Sequence, residues 1–109
     1  KDLAHYSASK EGVIALTRAL ASEHGRHKFK INCIIPGGIA TEGTKQAAMG
    51  IFKFKGGLIT TAIDFKKRLT INRMGEPDEV AKMTLIMASD FSSYMQGALV
   101  AVDGGFLST

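Results

Sequence analysis

Two short apolar runs, Lys30-Ile-Asn-Cys-Ile-Ile35 and Ala98-Leu-Val-Ala-Val102, do most to limit what this chain can become. Each has strand length and is closed at once by glycines, at Pro36-Gly37-Gly38 and Asp103-Gly104-Gly105. Strands that read as apolar on both faces need cover on both faces, as in a parallel sheet packed between helices.

The segments around these runs supply helices. From Tyr6 to about Glu23 there is no proline, and Val13, Leu16 and Leu20 recur at helical spacing. Ala8, Gly12, Ala15 and Ala19 trace a second stripe of small side chains that would let another backbone approach. A helix covered on two sides is expected, with Gly25 as the left-handed residue that ends it. A second helix opens at Glu76-Pro77-Asp78-Glu79, since proline suits the first helical position and acids in the first turn complement the macrodipole. Its expected apolar face is Val80, Ala81, Leu85, Met87 and Ala88, and Asp90-Phe-Ser-Ser93 makes the following turn.

Residues 42 to 74 are interrupted by Gly43, Gly50, Gly56 and Gly57, and read as two short helices in a mobile segment. The order is helix, strand, irregular helical segment, helix, strand, which is α/β. Two strands joined by one right-handed crossover do not complete a doubly wound sheet, so an edge or a face is left open.

Composition excludes several classes. Of the 109 residues 45% are hydrophobic and 22% charged, as in a globular chain. No apolar stretch approaches the roughly 20 residues of a membrane helix, and the opening residues carry no signal-peptide pattern. A net charge of +4 attracts anions mildly but is too weak to name a nucleic-acid binder, and the lysines are not organised with base-stacking aromatics. The single cysteine, Cys33, has no internal disulfide partner and reads as a small buried side chain in a reducing, cytoplasmic setting. His5, His24 and His27 form no metal-like grouping.

Chemistry enters at Tyr6-Ser-Ala-Ser-Lys10. A phenol and an ammonium four residues apart project from one helix face about one turn apart and can share a substrate. A free phenol, which ionises near pH ~10, is a poor proton shuttle at neutral pH, and a neighbouring positive charge favours its ionised form.

Four segments in order resemble the short-chain dehydrogenase/reductase family. Tyr6-Ser-Ala-Ser-Lys10 is similar to its active-site motif, and Ile31 to Thr41 to its strand-to-loop segment ending in Pro-Gly-x-Ile-x-Thr. Arg73-Met-Gly-Glu-Pro-Asp-Glu-Val-Ala81 and Gly97-Ala-Leu-Val-Ala-Val-Asp-Gly-Gly105 match its closing stretch. The resemblance covers nearly the whole chain and is weakest between Glu42 and Asn72.

It implies the carboxyl-terminal part of a Rossmann-like doubly wound parallel sheet, two strands with covering helices, incomplete on its own. Residues 1–109 would be part of a single dinucleotide-binding and catalytic domain, with a lid-like segment at about 42–72. The implied reaction is hydride transfer between NAD or NADP and a small-molecule alcohol or carbonyl substrate. Tyr6 would be the acid or base and, like Lys10, part of the cofactor site, and Lys10 would bind the nicotinamide ribose hydroxyls and lower the tyrosine pKa. Pro36, Gly37, Ile39 and Thr41 would form the cofactor-binding loop, the carboxamide resting against the Ile39 backbone and Thr41 bonding carboxamide or pyrophosphate. The lesser alternative for Thr41 is to cap the next helix. Ile51, Phe52, Phe54, Leu58 and Ile59 would line a substrate pocket or pack the segment down.

The family's glycine-rich turn, its adenosine-ribose selector, an upstream asparagine and its catalytic serine have no counterparts here, because only five residues precede Tyr6. The isolated chain is therefore expected to be inactive. It is read as part of an enzyme working as a homo-oligomer or beside a missing amino-terminal half. The alternative is a truncated, non-catalytic oligomerisation or regulatory module. A chain of this size would leave much apolar helix and sheet surface exposed.

Overall fold

A computed structural model describes residues 4–44 and 66–108. They form helix α1 (Ala4–His24), strand β1 (Cys33–Pro36), helix α2 (Pro77–Ala88) and strand β2 (Leu99–Val102). Turns of 3₁₀ helix follow at Gly25–His27, Asp90–Ser92 and Phe106–Ser108. The α/β order read from the sequence is the one observed. The expected pair of short helices falls mainly on 45–65, outside the described residues.

β1 and β2 pair side by side. Cys33 N–H donates to Ala98 O at 2.9 Å and Gly37 N–H to Val102 O at 3.0 Å, the same register at both ends, so the pair is parallel. Both strands are shorter than expected because side chains replace the ladder at their entrance. Gln96 Oε1 accepts the Ile31 N–H at 3.0 Å, and the Asn32 amide accepts from Ala98 N–H at 2.9 Å while donating to Met95 O at 3.1 Å. Asn32→Leu leaves both Ala98 N–H and Met95 O without their partners, and should lower stability by about 1–3 kcal/mol in a urea titration. An unchanged midpoint would show that water satisfies them as well.

Gly25 does not supply the left-handed turn after α1. That residue is Lys28, at φ 63°, after the 3₁₀ turn. Gly25 is small for another reason: a Cβ there would stand 3.0 Å from the Gln96 amide nitrogen. That nitrogen donates to Ala21 O at 2.9 Å and so satisfies one of the carbonyls left over at the helix end.

α1 is covered less than expected. Thr17 and Ala21 are buried and Ile14 and Leu20 half-buried, whereas Ala8, Gly12, Ala15 and Ala19 are exposed. Val13 and Leu16 are also more than half exposed. A helix of 21 residues is about 30 Å long, and strands lie about 5 Å apart, so two strands offer too little surface to cover it. The expected excess of exposed apolar surface is therefore present.

On α2 the covered stripe is Val80, Met83 and Met87, all half-buried at helical spacing, while Leu85 is 72% exposed and Ala81 and Ala88 are exposed. Met83 had not been included in that face, and Leu85 stands off it. Cys33, expected to be buried, is half-buried.

Two compact units divide the described chain. One joins residues up to 35 with 84–100, and contains α1, the Asn32 and Gln96 bridges and buried Ser92. The other joins residues 36–83 with 101–109, and contains the loop after β1, the start of α2 and buried Leu69.

Candidate functional site

In the first unit the helical spacing brings the two chemistry-bearing side chains together. Lys10 Nζ stands 5.4 Å from the centre of the Tyr6 ring, within range of a cation–π contact. Ser9 Oγ donates to Tyr6 O at 2.7 Å and stays on the backbone. Tyr6 is 52% exposed and Lys10 exposed, and among the described residues neither Tyr6 Oη nor Lys10 Nζ has a hydrogen-bond or ion-pair partner. A phenol and an ammonium thus lie on one open helix face with free polar ends.

In the second unit the segment after β1 is held rigidly. Pro36 is the exposed last residue of β1. Gly37 passes so close to β2's exit that an added Cβ would lie 2.5 Å from Asp103 Cα and 2.7 Å from Asp103 Cβ. Ile39 bridges to Gly75 in parallel, with Gly75 N–H donating to Gly38 O at 2.9 Å and Ala40 N–H to Gly75 O at 2.8 Å. The Ile39 carbonyl accepts from Thr41 N–H and Thr44 Oγ1, each at 3.0 Å, whereas the Ile39 N–H has no partner among the described residues. Thr41 does cap the following turn: its Oγ1 accepts the Thr44 N–H at 3.2 Å, and Thr44 Oγ1 accepts the Thr41 N–H at 2.8 Å.

A cleft of about 270 Å³ opens in this unit beside Gly38, Ile39, Arg73, Glu79 and Asp103. Its arginine and glutamate are spent on one another. Arg73 donates through both terminal nitrogens to Glu79, at 2.7 and 2.8 Å, and Glu79 Oε2 also accepts the Glu76 N–H at 2.8 Å. Glu79 therefore caps the Glu76 N–H at the start of α2 as the acid of a capping box does, without the reciprocal side-chain bond, and is anchored by arginine. The Arg73 guanidinium and the Glu76 N–H hold the Glu79 carboxyl down at about 2. Because folding lowers this pKa, its contribution is complete above about pH 4.5 and disappears as pH falls toward about 2. Both side chains are about half exposed, so the effect is modest and salt-sensitive. Glu79→Gln should lower the melting temperature at pH 6 but leave it close to the parent value at pH 2. An equal gap at both pH values would show that the carboxylate charge is not what counts.

Asp103 likewise serves structure, its carboxylate accepting the Gly105 and Leu107 N–H groups at 2.9 Å each. Gly104 and Gly105 turn the chain at φ 64° and 82°. Among the described residues no three metal-ligating side chains gather, and no helix is long and apolar enough to cross a membrane. Ile51, Phe52, Phe54, Leu58 and Ile59 lie outside the described residues. Thr44, Asn32 and Gln96 had not been singled out. Thr44 could have been found, since Thr41-x-x-Thr44 has the spacing of a reciprocal cap.

The chain as a whole is similar to members of a known family. Residues 1–107 match the family model described as enoyl-(acyl carrier protein) reductase. The chain is 37% identical over 101 residues to a 3-oxoacyl-acyl-carrier-protein reductase of Chlamydia trachomatis, covering 93% of this chain and 37% of that protein. It is 40% identical over 101 residues to a galactitol 2-dehydrogenase (L-tagatose-forming) of Cereibacter sphaeroides, again covering 93% and 37%. A Beutenbergia cavernae structure with bound NADP superimposes with a TM-score of 0.80 and 33% identity, over 95% of this chain and 39% of that one. The chain belongs to the short-chain dehydrogenase/reductase family. It spans little more than a third of the length of these relatives. Its fold class is accordingly the two-stranded part of a Rossmann-like α/β sheet.

Proposed function

We propose that this chain supplies the proton-transfer pair and the nicotinamide-side loop of an NAD- or NADP-dependent oxidoreductase acting on a small-molecule alcohol or carbonyl compound. The observation that carries this reading is the open face of α1 where Lys10 stands over Tyr6 with both polar ends free. Each unit by itself offers groups that suit part of the cofactor: in the first, an ammonium beside a phenol can take ribose hydroxyls, and in the second, the Ile39 N–H, without a partner among the described residues, is a donor for the carboxamide oxygen. When bound, the nicotinamide accepts or donates the hydride.

The chain's own side chains do the rest. Tyr6 Oη passes a proton to the substrate oxygen in reduction and takes it back in oxidation. Lys10 orients the ribose and stabilises the negative charge that develops on Tyr6 Oη when the proton leaves. Gly37, Ile39 and Thr41 present backbone and hydroxyl groups to the carboxamide, with Pro36 setting the exit from β1. The family's dinucleotide-phosphate cradle and catalytic serine have no counterparts among these 109 residues, so the isolated chain is inactive. One catalytic domain is completed by further polypeptide, and the lid expected at about 42–72 falls mainly outside the described residues. Assembly is as a cytoplasmic homo-oligomer through α1, where Val13 and Leu16 are uncovered.

The same uncovered face supports a second reading, a non-catalytic module that only pairs with other chains. Intact mass under native conditions, with a nicotinamide fluorescence titration, separates the two. An assembly much larger than this chain that binds cofactor supports the enzyme. A 109-residue species that ignores cofactor favours the non-catalytic module.

A further inference from the structure

In the first unit the chain enters its two strands around a groove of about 550 Å³, lined by Lys28 to Lys30 before β1 and by Asp90 and Ser93 to Gln96 before β2. That is the size of a small-molecule site. Two aromatic rings line it and neither is covered: Phe29, next to the left-handed Lys28, is more than half exposed, and Tyr94, after the Asp90–Ser92 turn, is fully exposed. Most of the groove's polar groups are in use. Lys30 Nζ donates to Ser89 O at 2.9 Å, and the Gln96 amide is spent on Ile31 N–H and Ala21 O. The Lys28 ammonium and the Asp90 carboxylate are different. Both are exposed, they do not pair with each other, and neither has another hydrogen-bond or ion-pair partner among the described residues. One groove thus holds a free cation, a free anion and two open rings.

We infer that this groove is a binding site for a small aromatic zwitterion, the chemistry of a free aromatic α-amino acid. Its carboxylate goes to Lys28, its ammonium to Asp90 and its ring to Phe29 and Tyr94, with half-buried Met95 adding polarisable surface. The charges select against simpler ligands. An aromatic anion meets Lys28 but also the like charge of Asp90, and an aromatic cation meets the reverse. An aliphatic zwitterion leaves both rings in water. None of the lining residues belongs to the Tyr6–Lys10 pair or to the loop after β1, so the inference does not rest on the proposed function. A ligand held by both stretches ties together chain segments some 60 residues apart, and binding therefore stabilises the fold by mass action.

The test titrates three probes by calorimetry into the complete protein that contains this chain: L-tryptophan, tryptamine, which lacks the carboxylate, and indole-3-propionate, which lacks the ammonium. L-Tryptophan should bind about fivefold more tightly than either analogue, the size expected of an exposed charge pair. Lys28→Met keeps a side chain at the left-handed position and so leaves the backbone strain as it was. It should weaken L-tryptophan about fivefold and leave tryptamine unchanged. Asp90→Asn should weaken L-tryptophan by a similar factor and leave indole-3-propionate unchanged. Tyr94→Ala, made at a ring that packs on nothing, should weaken all three probes alike. Equal affinity for the three probes, or affinities that ignore Lys28→Met and Asp90→Asn, would reduce the groove to an apolar patch and overturn the inference. So would failure of L-tryptophan to bind at millimolar concentration, the result expected if further polypeptide covers Phe29 and Tyr94.

Discussion

In the complete enzyme that contains this chain, Tyr6→Phe is expected to lower turnover by about 10²- to 10⁴-fold while leaving cofactor affinity within about twofold of the parent. The substitution removes one oxygen from a ring that is half exposed, and that oxygen holds no hydrogen bond among the described residues. Neither α1 nor its packing depends on it, so lost activity cannot be charged to unfolding. Lys10→Met should behave differently, since in the proposed function the ammonium serves both the ribose and the developing charge on Tyr6 Oη. It should depress turnover and also raise the cofactor dissociation constant. Steady-state kinetics paired with fluorescence titration of each variant reads the two effects apart. Retention of turnover by Tyr6→Phe would remove the phenol from the chemistry, whatever the Lys10 variant does.

Both residues were visible in the sequence because a four-residue spacing on a proline-free helix leaves little freedom in where side chains point. The helices were visible for the same reason, and Pro77 with acids after it marked the start of α2 to the residue. Less visible was how far each strand extends. Lys30 to Asn32 have strand composition, yet Gln96 and Asn32 take over part of the backbone pairing there, beside the Gly97 N–H to Ile31 O bond at 2.8 Å, and a long-range amide bridge leaves no local signature. The covered face of α2 was misjudged at Leu85 and Met83 because a run of Leu-Ile-Met offers several candidate stripes, and only packing partners choose between them. Glu79 was read only as a first-turn acid, and its arginine clamp required the chain from Arg73 to fold back on the helix start.

Gly37 and Gly12 should respond oppositely to the same substitution, and the contrast decides what Gly37 is for. A methyl group at Gly12 meets nothing within 4 Å on an exposed stretch of α1. Gly12→Ala should therefore stabilise by about 0.5–1 kcal/mol, the ordinary gain of alanine over glycine inside a helix. At Gly37 the methyl would press on Asp103 Cα at 2.5 Å, Asp103 Cβ at 2.7 Å and Asp103 O at 2.8 Å. Two of those three atoms are backbone and cannot swing aside as the end of a side chain could. Relief would have to come at the hydrogen bond from Gly37 N–H to Val102 O, or by moving Asp103, whose carboxylate caps the Phe106–Ser108 turn. Gly37→Ala is thus expected to destabilise at or above the upper end of the usual overpacking range of about 1–3 kcal/mol. A thermal melt without cofactor should show the loss, since the strain is between two parts of the protein itself. Normal stability combined with weakened cofactor binding would instead mean that the glycine is there to admit a ligand.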